Sequence, residues 1–303
     1  MKLDLSNRAI RQHEKPISHS NFWRILGDMV IGFLVVFALD YLIDQLISLD
    51  PQQGLTIRFG LTPLLNLIST LASSLFSMGI MWGLVRLVRH GGSYDQGSLV
   101  QPFKEKLGRN ILALFLLALI GLIPTIVVGV LSGFGFMSAI ILSTEEWQGY
   151  AAFFGIFILA GIILGIIATW LDLSLAMVSP LLGDYPEMGA WQVMKESFRM
   201  MKGNRWKLLG LILTYIWIPI LIVIVSIVAF FAYAIATSPV QGPSYVLAFS
   251  LFFFALLVAA LIGLYYSLRL NVAKALFYTA LEDKEKGTSC FPGQGLAGQG
   301  EAL

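Results

Sequence analysis

Residues 204–236 read NRWKLLGLILTYIWIPILIVIVSIVAFFAYAIA. Arg205, Trp206 and Lys207 stand at the head, and no Asp, Glu, Lys or Arg follows before Ala236. A helix that crosses the hydrocarbon of a bilayer needs about 20 mostly apolar residues, and this run exceeds that length. A soluble helix of the same length would carry a polar face; this one has none. The head also suits a membrane entry, because tryptophan settles at the interface and cations settle among the headgroups.

The rest of the chain agrees. Its 303 residues are 57% hydrophobic and only 13% charged, about half the charge of a soluble average near 25%. The mean hydropathy is +0.79. Six apolar runs are long enough to span, near 22–48, 62–88, 110–133, 151–179, 206–236 and 246–278. The third has a loose end: Gly129, Gly133 and Gly135 leave open a continued helix or a re-entrant piece over 129–142. A net charge of +2 gives no reason to expect nucleic acid. The one cysteine, Cys290, can form no intrachain disulfide.

The cations set an orientation. Lys2, Arg8, Arg11, Lys15 and Arg24 precede or open the first run. Arg86, Arg89, Lys104, Lys106 and Arg109 fill the second connection, and Lys195, Arg199, Lys202, Arg205 and Lys207 fill the fourth. The opposite side holds Arg58 against Asp50, Glu145 and Glu146. Both termini are therefore expected in the cytoplasm, in a multi-pass protein of the inner (cytoplasmic) membrane. The division expected is a cytoplasmic N-terminal segment 1–20, a six-helix transmembrane domain 21–282 and a disordered cytoplasmic tail 283–303.

The head of the quoted run has an earlier counterpart, NFWRILGDMV at 21–30. At an offset of 95, Phe103 aligns with Phe198, Gly108 with Gly203 and Pro124 with Pro219. At an offset of 97, Leu171-Asp172-Leu173 aligns with Leu268-Arg269-Leu270. The expected fold is all-α: six transmembrane helices as three repeated hairpins, joined by amphipathic cytoplasmic helices. In the longer connection Trp191, Met194, Phe198 and Met201 share one face and Lys195, Arg199 and Lys202 another. A weaker version runs through Leu99, Val100, Phe103 and Leu107.

The stretch MKESFRMMKGNRWKLLGLIL resembles the signature of a bacterial integral-membrane family known as domain of unknown function 975, through Ser197, Met201, Gly203, Trp206 and Lys207. The upstream LLGDYPEMGAW is similar to that family's acidic-proline segment, and Ala273, Phe277 and Tyr278 resemble its closing motif. QPFK at 101–104 is similar to its Phe-rich first connection, whereas LTYIWIP departs from the family pattern. A more distant similarity is to the membrane portion of glycerophosphodiester phosphodiesterases. The resemblance implies the topology and supplies no biochemical activity.

Ionisable groups inside a span need partners or water. Asp28, Asp172, Arg269, Asn271 and Lys274 fall at similar depth on the cytoplasmic side and form a candidate intramembrane polar cluster, with Asp172 and Arg269 as its expected ion pair. Lys195, Arg199, Lys202, Arg205 and Lys207 are candidate contacts for anionic lipid headgroups. Asn66 and Asn271 are candidates for hydrogen bonds between helices. Gly155, Gly161, Gly165, Gly210 and Gly263 are read as close-packing positions. Asp40 and Asp44 share a face at a helix end and read as solvated.

No metal, nucleotide or nucleophile motif is present, and His13, His19 and His90 lack a second ligand at helical spacing. No cofactor and no enzymatic activity are expected. The function expected is that of a scaffold, assembly or lipid-organising factor with membrane lipids as partners. A transporter or channel that uses the inner polar cluster is the alternative.

Overall fold

The computed structural model describes residues 7–48, 54–141, 147–236 and 243–286. The readings placed on Asp50, on Glu145 and Glu146, and on the tail beyond residue 286 lie outside the described residues. The elements in chain order are α1 (Asn7–Ser48), α2 (Gly54–His90), a 3₁₀ turn (Gln96–Val100), α3 (Gln101–Lys104), α4 (Leu107–Ile141), α5 (Trp147–Leu175), α6 (Val178–Asp184), α7 (Ala190–Met201), α8 (Arg205–Ala236) and α9 (Pro243–Lys286). No strand occurs among the described residues. Six stretches are long and apolar enough to cross a membrane: one each in α1, α2, α4, α8 and α9, and one from α5 through α6. This is an all-α multi-pass membrane protein.

Several helices outrun the bilayer. With 42 and 44 residues, α1 and α9 measure about 63 and 66 Å at 1.5 Å per residue, against about 30 Å of hydrocarbon. The long helices follow one another as α1–α2, α4–α5 and α8–α9, an order compatible with three hairpins. α4 runs unbroken to Ile141, so the segment from 129 to 141 continues the helix. Nor does residue 20 mark a structural break, because α1 is continuous across it from Asn7. The connection between α2 and α4 holds a 3₁₀ turn and one turn of α-helix where an amphipathic helix was expected.

The chain divides into two compact units, the first of residues 1–30, 83–96 and 206–303, the second of 31–82 and 97–205. In the first, the buried core sits at the polar ends of the helices. Leu268, Val272, Ala273, Ala275, Phe277 and Tyr278 on α9 are buried, with Ile25 of α1, Leu84 of α2 and Leu208 and Leu211 of α8. The apolar lengths beyond are open: Leu213, Trp217, Leu221, Ile224 and Val228 of α8 and Leu257 and Leu261 of α9 are all exposed. In water that pattern would drive aggregation. In lipid it costs little, since acyl chains are as apolar as leucine and helices there gain nothing from hydrophobic burial.

The second unit packs α7 against α4, α5 and α6, with α4 beside α5. Val193, Met194, Ser197, Met200 and Met201 of α7 are buried together with Met177, Val178, Leu181 and Leu182. The apolar face of α7 is thus occupied by its own protein. Trp191, read from sequence as part of that face, is 67% exposed and lies off it. Trp82 of α2 donates its indole N–H to the Ser179 carbonyl at 2.7 Å. Pro180 falls in the first turn of α6, where a missing N–H breaks no helical bond. Gly203 turns the chain into α8 at φ +84°, and Lys106 turns it into α4 at φ +45°. A lysine is strained there; its ammonium is held by the Pro186 carbonyl at 2.8 Å and by Glu187 at 3.3 Å.

Candidate functional site

In the first unit Glu14 is fully buried, and Arg269 is 16% exposed. The guanidinium meets the carboxylate side-on, Nε donating to Oε1 at 3.0 Å and Nη2 to Oε2 at 2.6 Å. The Tyr215 hydroxyl donates to the same carboxylate at 3.2 Å. Three helices, α1, α8 and α9, therefore converge on one buried anion. Arg269 also lies over the Tyr215 and Tyr265 rings at 5.6 and 5.7 Å, which favours a cation taken out of water. Arg269, read from sequence as the partner of Asp172, gives Nε and Nη2 to Glu14 instead. Glu14 escaped sequence reading because it stands in a charged stretch before the first apolar run and looks solvated.

Beside this pair lies a groove of about 430 Å³, lined by Lys15, Ser18, His19, Phe22 and Trp23 of α1 and by Tyr265 and Arg269 of α9. Phe22 packs against both Trp23 and Tyr265. Asp28, 1% exposed, lies farther along α1 beside Tyr94 and Asp95. The Tyr94 backbone N–H donates to Asn21 Oδ1 at 2.9 Å, tying the loop after α2 to α1. Arg89 pairs with Glu282, joining α2 to the end of α9. Lys274 and Asn271 are half-buried. Among the described residues no ion pair forms at Lys274, and neither Asn66 nor Asn271 makes a side-chain hydrogen bond to another helix.

In the second unit Asp172 is exposed and lines a groove of about 720 Å³ with Leu117, Gly121, Pro124, Gly161 and Gly165. The space next to Gly121, Gly161 and Gly165 is open: a Cβ built on any of them meets nothing within 4 Å, and the same holds for Gly263 in the first unit. They are not close-packing positions. Close approach occurs elsewhere, at Gly79 against the Leu99 carbonyl and at Gly183 against the Trp82 ring. Of the glycines read as packing positions whose surroundings are described, Gly210 alone meets a neighbour, Asn7 Nδ2 at 3.2 Å; the surroundings of Gly155 lie outside the described residues.

The cations read as lipid contacts divide by environment. Lys195, Lys202 and Lys207 are exposed and, among the described residues, unpaired. Arg199 pairs with Glu196 one turn away, and Arg205 stacks 4.1 Å over the Trp170 ring. Arg109, read only as an orienting cation, is structural: it donates to the carbonyls of Leu182 at 2.7 Å, Tyr185 at 2.9 Å and Pro186 at 2.8 Å. It thereby clamps the end of α6 and the turn that leads from it to α7. Asp40 and Asp44 are exposed, and among the described residues no His, Cys, Asp or Glu group gathers to hold a metal.

A family model described as "Protein of unknown function (DUF975)" matches residues 9–284. No curated protein and no solved structure matches the chain, so the similarity to glycerophosphodiester phosphodiesterases gains no support. Several of the residues that carry the family resemblance hold the fold, whereas Trp206 is 82% exposed and Lys207 is exposed. The Ser197 hydroxyl donates to the Ser174 carbonyl at 2.8 Å, Gly203 takes a left-handed turn, and Met201, Ala273, Phe277 and Tyr278 have no accessible surface.

Proposed function

The chain belongs to the DUF975 family, and on that premise we propose that it is a non-catalytic integral membrane protein that organises anionic lipid at the inner face of the cell membrane, as a scaffold or assembly factor. The observation that carries this reading is the outward face of α7. Its apolar side is occupied by α4, α5 and α6, while Lys195 and Lys202 stand exposed, and unpaired among the described residues, on the same helix as the exposed Trp191. A helix held this way presents charge to headgroups without inserting its own apolar face. Each lysine near an anionic surface contributes about 1 kcal/mol. Lys195→Gln with Lys202→Gln should therefore weaken the binding of phosphatidylglycerol by about 2 kcal/mol, roughly thirtyfold, in titrations of purified protein. Unchanged binding would remove the support.

The orientation belongs to the same proposal. In a Cys290→Ser background, Ser93→Cys and Glu187→Cys should both react with a membrane-impermeant thiol reagent only from the cytoplasmic side. Reaction from opposite sides would overturn the placement of the termini.

One observation favours transport as a second reading: the groove at Asp172, an ionisable residue in a span facing an open apolar wall. It ranks second because Asp172 is the single charged residue that lines it. Solute uptake into proteoliposomes that Asp172→Asn abolishes would put it first.

A further inference from the structure

We propose that the groove of the first unit binds the phosphate of an anionic phospholipid, with Lys15, His19 and the remaining edge of Arg269 as its donors and Trp23 and Tyr265 flanking the start of its acyl chains. This deepens the lipid reading of the preceding section, at a site that shares no residue with α7.

The α1 wall is one helix face. Lys15, Ser18, His19, Phe22 and Trp23 fall at i, i+3, i+4, i+7 and i+8, so their side chains stack along the same side. The order along that face is polar first and apolar after: an ammonium, a hydroxyl, an imidazole, then two aromatic rings. The α9 wall has the matching order. Of its two lining residues, Tyr265 lies toward the apolar run and Arg269, four residues on, toward the polar end. The two gradients run side by side, as the two ends of an amphiphile require. Trp23, 80% exposed at the first apolar turn, marks the level at which an indole prefers to sit, between headgroup and hydrocarbon.

The donors suit a phosphate. Arg269 commits Nε and Nη2 to Glu14, lines the groove, and makes no hydrogen bond through Nη1 among the described residues. Glu14 is fully buried and does not reach the groove, and no carboxylate lines it. Lys15 and His19 are exposed and unpaired among the described residues. Because Arg269 is already fixed by its ion pair and by two rings, a phosphate that meets Nη1 orders little more of the protein, which favours affinity. Charge-assisted hydrogen bonds of this kind are the strong ones. A volume of about 430 Å³ accepts a headgroup with its glycerol.

The test uses the full-length protein purified in detergent and native mass spectrometry with two lipids of identical chains, phosphatidylglycerol and phosphatidylcholine. The parent should retain phosphatidylglycerol preferentially, and Lys15→Gln with His19→Gln should lower its apparent affinity about tenfold. Lys15→Arg should keep it. Both changes lie on exposed side chains and should leave the thermal midpoint of the lipid-free protein unaltered. Lys195→Gln with Lys202→Gln is run alongside. A loss confined to the α7 variant overturns the groove and leaves the lipid reading standing; no loss in either variant removes both. Equal retention of the two lipids by the parent also overturns the proposal. So does binding of inorganic phosphate with no binding of phosphatidylglycerol, since the groove would then serve a free anion.

Discussion

Glu14→Leu lowers the free energy of unfolding by about 3–5 kcal/mol, the range for removing one partner of a buried ion pair. The mechanism is the guanidinium left behind: Arg269 is only 16% exposed, and without Glu14 it stays away from water with no anion. The decisive comparison is the double variant Glu14→Leu with Arg269→Met. Taking both charges out replaces a desolvated pair by apolar packing, which is often neutral or stabilising. The double variant should therefore recover most of the loss, with Tyr215→Phe added to remove the hydroxyl that Glu14 satisfied. Denaturant titration in mixed micelles reads all three proteins. A double variant as unstable as the single one would mean that Glu14 acts through something other than its pairing with Arg269.

Gly79→Ala should cost about 3 kcal/mol, at the upper end of the usual range for overpacking. The Cβ it adds would stand 2.5 Å from the Leu99 carbonyl oxygen and 2.8 Å from that of Ser98. Both are backbone atoms of the 3₁₀ turn, so no side-chain rotation relieves the clash; α2 or the turn must shift. The control is Gly165→Ala. It adds a methyl to open space and replaces glycine within a helix, which should be neutral or stabilising by up to about 1 kcal/mol. The same titration measures both. Equal losses at the two positions would refute the close approach at Gly79.

These two sites show how far the sequence could be read. The six apolar runs were plain from length and charge alone, because the bilayer imposes the same requirement on each one independently. Gly79 and Gly165 both look like glycines in apolar helices, and only the Leu99 carbonyl distinguishes them; that contact depends on how the chain returns, which no local pattern encodes. Glu14 had the opposite problem. It lies among Arg11, His13 and Lys15, a neighbourhood that reads as solvated, and its partner is 255 residues away. α7 is a helix over Ala190–Met201, but an apolar helix side has two equally good physical solvents, lipid and protein. Periodicity cannot choose between them; the contacts with α4, α5 and α6 can. Trp191 was misplaced for a simpler reason, since the buried stripe follows Val193, Met194, Ser197 and Met200, around the helix from it.

The bond between Glu14 and Arg269 also orders events during synthesis. A ribosome delivers α1 to the membrane long before α9 exists, so each nascent chain carries an acid waiting for its base. The unit that holds this bond draws on residues 1–30, 83–96 and 206–303, and cannot close until the last helix has been made. A chain truncated before Arg269 lacks the guanidinium that Glu14 meets, and its first helix keeps a carboxylate without that partner.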